Sequence, residues 1–202
     1  MHTFSATRWT LLTALGLAGG IAAAALLGAP LGTLVNAMIV TALIPVVVGG
    51  VLGTCQAAGL RRLLAKPSWW IVASVVGAGA GLALGVIAVE EIGTLIIGSR
   101  PRVAQLSPAT RAVSFVAVGL IAGTVLGFAQ WLVLRAQRPA VKHWIVACGA
   151  ALAVAFCLAS LLVDVSGLRF PTAIGRISFL ILSGLLFGGL TSWPLRGAAQ
   201  TG

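Results

Sequence analysis

Charged positions fall in widely spaced clusters along this chain, and the stretches between them carry no charge at all. Charge-free runs cover 9–60, 67–89, 112–134, 143–163 and 177–195, with lengths of 52, 23, 23, 21 and 19 residues. A helix needs about 20 apolar residues to cross the hydrocarbon core of a bilayer. Four runs fit one crossing each, and the longest fits two. That run contains Gly28-Ala29-Pro30-Leu31-Gly32, where Gly and Pro together predict a turn. The pattern therefore predicts six transmembrane helices. Barrel strands would alternate polar and apolar residues, whereas these runs are apolar on all sides. In lipid the backbone must satisfy its own polar groups, and a helix does so within each segment. The expected fold class is all-α: a polytopic membrane protein. Ser107-Pro108 and Ser68 read as helix starts. Pro45, inside the second run, predicts a kink.

Composition supports the same solvent. Of 202 residues, 13 are Lys or Arg and 3 are Asp or Glu, and 59% are hydrophobic. A soluble domain carries about 25% charged residues. The mean hydropathy is +1.11. Arg8 followed by an apolar stretch ending at Ala22-Ala23-Ala24 has the outline of a signal peptide. It is read as a first helix that stays in the membrane.

Charge also orients the chain. With loops assigned alternately, one side holds Arg8, Arg61, Arg62, Lys66, Arg135, Arg138, Lys142 and Arg196, with no acid. The other holds Arg100, Arg102, Arg111, Arg169 and Arg176, together with Glu90, Glu91 and Asp164. The Lys/Arg excess predicts that the first side, and both termini, are cytoplasmic. This bias also accounts for the net charge of +10. A nucleic-acid partner is not expected.

The chain repeats itself. GTCQAAGLR at 53–61 and GFAQWLVLR at 127–135 share Gly, Gln, Leu and Arg at an offset of 74 residues. The same offset superposes Trp70-Ile71-Val72-Ala73 on Trp144-Ile145-Val146-Ala147, and Glu90 on Asp164. A third copy, GGLTSWPLR at 188–196, keeps Gly188, Leu195 and Arg196 and has Thr191 in the Gln position. The unit is a helical hairpin. Three units, about 8–64, 68–138 and 142–197, make up a single transmembrane domain over 1–202. Each first helix opens at a Trp (Trp9, Trp70, Trp144), and Pro30, Pro108 and Pro171 precede the second helices.

The motif residues suggest packing and anchoring roles. Trp9, Trp70 and Trp144 are expected at the headgroup level, setting helix depth. Arg61, Arg135 and Arg196 would snorkel to the cytoplasmic headgroups. Gly53, Gly127 and Gly188 would permit close helix approach, and Gln56 and Gln130 would bond a neighbouring helix. Gly77, Gly81 and Gly85 recur every fourth residue, as do Gly119, Gly123 and Gly127, and Gly184 with Gly188. The two longer stripes predict tight packing of the third helix on the fourth.

Candidate chemistry is sparse. His2 and His143 are the only histidines, and neither is mid-span; His143 reads as an interfacial residue. Cys55, Cys148 and Cys157 form no Cys-x-x-Cys pair and read as small buried apolar residues. The three acids fall near the outer interface, where pairing with Arg100, Arg102, Arg169 or Arg176 is expected. Phosphate-binding, nucleophile-elbow and zinc-protease motifs are absent from the sequence. No catalytic residue, metal site or resident cofactor is predicted, although a lipid, quinone or pigment could be bound.

The G-x-x-Q-W-x-x-L-R helix ending, complete at 127–135, resembles that of uncharacterised multi-pass membrane proteins of bacteria such as Chloroflexi and cyanobacteria. The first copy lacks the Trp after Gln, and the third lacks the Gln. The resemblance implies a location in the bacterial inner membrane and no particular activity.

Three functional readings follow, in order of preference. The first is a non-catalytic accessory or scaffold subunit that packs against other membrane proteins, lipids or pigments. The second is a small-solute transporter or channel of hairpin repeats, with Gln56, Gln130 and Thr191 lining a water-filled cavity. The third is an intramembrane enzyme using Glu90, Glu91 or Asp164.

Overall fold

Four of the charge-free runs supply one helix each and the longest supplies two, because in lipid no other local conformation pairs the backbone of a single segment. The structure, a computed structural model, describes residues 5–34, 37–61, 64–97, 107–136, 143–166 and 173–200. All regular structure among them is α-helical: α1 (Ala6–Leu34), α2 (Ala37–Leu60), α3 (Pro67–Ile97), α4 (Pro108–Arg135), α5 (Trp144–Val165) and α6 (Ala173–Gln200). Five helices contain described stretches long and apolar enough to cross a membrane: Leu43–Leu60, Pro67–Glu91, Pro108–Arg135, Trp144–Val163 and Ser178–Leu195. α1 is 29 residues long and packs between α2 and α6. The chain is an all-α polytopic membrane protein.

The first turn lies elsewhere than predicted. Gly28–Gly32 does not break the chain, since α1 runs through it to Leu34. A proline inside a membrane helix forfeits one backbone donor, whereas a turn there would leave several polar groups facing lipid. Pro30 thus lies within α1 and does not precede the second helix. Pro108 does open α4, with Ser107 as its cap: the Thr110 amide donates to Ser107 Oγ at 3.2 Å. Pro171 falls outside the described residues. Ser68 sits one position inside α3, which begins at Pro67. Pro45 lies within α2, which is helical on both sides of it.

The helices form a closed ring in chain order, with α6 returning to α1. Glycine lets the neighbours approach to backbone contact. A Cβ on Gly81 would stand 2.8 Å from the Ala122 carbonyl oxygen, and one on Gly77 would stand 2.9 Å from Leu126 Cα. The α3 stripe therefore seats on α4, as expected. The α4 stripe does not face back to α3. Gly119, Gly123 and Gly127 meet Leu152, Cys148 and Ile145 of α5. Sequence spacing identifies a close-packing face without saying which neighbour it meets. Gly184 and Gly188 of α6 meet Ala14 and Thr10 of α1 and close the ring.

Candidate functional site

The motif residues converge at one end of the ring, which we term the basic end because Arg8, Arg61, Lys66 and Arg135 are exposed there. Trp9, Trp70 and Trp144 stand in the first turn of α1, α3 and α5. All three are buried, at 1%, 0% and 0% exposure. Their rings meet edge to face, with centroids 6.5 Å apart for Trp9–Trp70, 6.4 Å for Trp9–Trp144 and 5.9 Å for Trp70–Trp144. This geometry places the positive edge of each indole against the face of the next.

Each indole N–H is taken up by the motif residue of the preceding hairpin. Trp70 Nε1 donates to Gln56 Oε1 at 3.3 Å, and Trp144 Nε1 donates to Gln130 Oε1 at 3.3 Å. Trp9 Nε1 donates to Thr191 Oγ1 at 3.1 Å, across 182 residues of sequence. The third bond completes a cycle, with unit one on unit three, unit two on unit one and unit three on unit two. The structure thus has an approximate threefold arrangement of hairpins within one chain.

The amides also bond each other and the odd helices. Gln130 Nε2 donates to Gln56 Oε1 and to Ser74 Oγ, both at 3.0 Å. Gln56 Nε2 reaches Thr13 Oγ1 at 3.5 Å, the outer limit for such a bond. Thr13 and Ser74 stand four residues after Trp9 and Trp70, and the third unit has Cys148 at that position. There Thr191 replaces the amide and donates to the Phe187 carbonyl at 2.8 Å. No amide N–H is left to need a hydroxyl, so an apolar thiol suffices. The motif glycines admit this layer: Gly53 packs on Ser74, Gly127 on Cys148 and Gly188 on Thr13.

Trp9, Trp70 and Trp144 do not face outward; they form the core of the basic end. The exposed tryptophans at this end are Trp69 and Trp193, at 59% and 77% exposure. Trp131 is half-buried, stacked on Phe128 and covered by the Arg135 guanidinium 5.0 Å from its centroid. Arg61 and Arg135 are exposed, consistent with snorkelling, while the side chain of Arg196 falls outside the described residues. Sequence reasoning missed Thr13 and Ser74, and it read Cys148 as a small buried apolar residue without placing it in this layer. Their signal was the fixed step of four residues from each tryptophan.

The other candidates do not gather. Glu90 and Glu91 are exposed on α3. Arg100, Arg102, Arg169 and His2 fall outside the described residues, as do the side chains of Asp164 and Arg176. Arg111 is not a loop residue; it is buried in the first turn of α4. His143 is exposed at the start of α5. The three cysteines are free, Cys148 buried and the other two half-buried. Among the described residues no cluster of His, Cys, Asp or Glu could hold a metal ion. At the end of the ring opposite the basic end, Phe115, Phe156 and Phe179 form a second aromatic cluster, with centroids 4.9–6.2 Å apart.

No protein-family model matches the chain, and no curated protein or solved structure matches it either.

Proposed function

We propose that the chain is a non-catalytic integral membrane protein of the bacterial inner membrane, an accessory or scaffold subunit that presents its outer apolar surface to other membrane proteins and to lipid. One observation carries this reading: the polar motif side chains are spent on one another inside the ring. Gln56, Gln130 and Thr191 are each 0% exposed. What the molecule offers outward is apolar: Leu15, Val76, Val113 and Val146 are 60–71% exposed. The Lys/Arg bias supports cytoplasmic termini. The transport reading would need the amide layer to line an aqueous path, and that layer lies beneath the three indoles with its groups bonded to one another.

Extraction in mild detergent followed by mass photometry tests the proposal. The native protein should run within a larger complex, and recovery as a lone monomer overturns it. Solute uptake by proteoliposomes holding the purified chain would instead favour transport. Fluorescent-protein fusions at either terminus should glow in bacterial cells, and dark fusions would reverse the orientation.

A further inference from the structure

On the outer face of the second hairpin, near the basic end, α3 and α4 part around a groove of about 500 Å³. Ala73, Val76, Ala129 and Leu132 line it, and Lys66 and Trp69 stand at its basic end. The groove follows from two small residues, Ala73 and Ala129, that only the second hairpin combines: the first hairpin pairs Leu12 with Cys55 at these places, and the third pairs Ala147 with Leu190. Ala73 lies three residues after Trp70, and the first hairpin has Leu12 at that place. Ala129 precedes Gln130, and the third hairpin has Leu190 before Thr191. Lys66 lies four residues before Trp70, where the sisters carry Ser5 and Ala140. The second hairpin alone is small at both places and alone carries a cation at the third.

Shape and charge specify an occupant. From Lys66 to Val76 the wall spans about 15 Å at the helical rise, about half of a bilayer's hydrocarbon core. That matches one acyl chain in one leaflet. Lys66 is exposed, with no ion-pair partner among the described residues, and it immediately precedes α3, whose N-terminal end adds partial positive charge. Trp69 is exposed beside it, as a headgroup-level indole should be.

We propose that this groove is a binding site for a phospholipid with an anionic headgroup, its acyl chain along Ala73, Val76 and Ala129 and its headgroup against Lys66. The site requires membrane placement and no partner subunit, so it stands or falls separately from the scaffold reading.

Native mass spectrometry of the full chain, released from nanodiscs of equal phosphatidylglycerol and phosphatidylcholine, tests it. One lipid should be retained, with phosphatidylglycerol favoured about fivefold, the ratio expected for one basic residue near the membrane surface. Ala73→Leu and Ala129→Leu, each copying a sister hairpin, should each cut retention at least about fivefold, the loss expected when the apolar contacts of an acyl chain are blocked. Lys66→Ser should keep the lipid and lose the headgroup preference. Undiminished retention in both leucine variants, or undiminished preference in the serine variant, overturns the proposal. Should the leucine variants fail to fold, brominated-chain phosphatidylglycerol provides a second readout. It should quench the wild-type protein more than Trp69→Phe, and equal quenching overturns the site.

Discussion

Gln130 illustrates how a single side chain is committed. Its carbonyl accepts from Trp144, and its amide donates to Gln56 and Ser74. Side-chain hydrogen bonds in membranes average about 0.6 kcal/mol each, so three of them together with a stranded indole N–H should outweigh any single bond. Gln130→Ala should cost about 2 kcal/mol, read as a lowered unfolding temperature in detergent. Thr191 permits a finer comparison. Thr191→Val keeps the shape and removes the acceptor for Trp9, and should cost about 1 kcal/mol. Thr191→Ser keeps the hydroxyl and should stay near wild type; equal losses in the two variants would remove the bond from the account. At this scale the sequence was half legible. A buried amide in an apolar helix must find a partner, so the bonding of Gln56 and Gln130 could be anticipated. The burial of Trp9, Trp70 and Trp144 could not, because a tryptophan at a span end satisfies an interfacial preference equally well. The available cue was a spacing: each Gln precedes its tryptophan partner by 14 residues in two of the copies.

At the scale of an element, the run Gly77-Ala78-Gly79-Ala80-Gly81 of α3 contains its own control. A Cβ on Gly81 would press on the Ala122 backbone at 2.8–2.9 Å, whereas one on Gly79 would meet nothing within 4 Å. Gly81→Ala should therefore destabilise by about 1–3 kcal/mol through overpacking. Gly79→Ala, two residues away, should stabilise by about 0.5–1 kcal/mol through helix propensity. Thermal unfolding of the pair in one detergent checks both signs, and a shared sign would mean that the α3–α4 contact is looser than described. Helix positions and the small-residue faces were readable from hydropathy and spacing. Two things were not: the continuation of α1 through Pro30, where lipid overrides a turn signal that holds in water, and the partner of the α4 stripe. That partner depends on how hairpins are arranged around the ring, which no local pattern encodes.

For the whole molecule, the repeat supplied three hairpins, and the structure adds that they close on themselves. Closure depends on the seam between α6 and α1, where Gly188 lies against Thr10 and Thr13. Gly188→Leu should open this seam while leaving the α3–α4 and α4–α5 contacts in place. The variant should unfold at a lower temperature in detergent than the wild-type chain; an unchanged temperature would mean that the seam does not rely on the glycine.

The bond from Trp9 to Thr191 joins the first helix of the ring to the last. Until the final helix enters the bilayer that bond cannot form, and the triangle of rings is held only by α1–α5. Three indoles fixed edge-on at this distance make a coupled ultraviolet chromophore whose circular dichroism depends on their mutual tilt. The protein therefore carries its own optical clock of membrane assembly. A chain halted before α6 should show a weak near-ultraviolet band, and the band should reach full strength once the last hairpin docks.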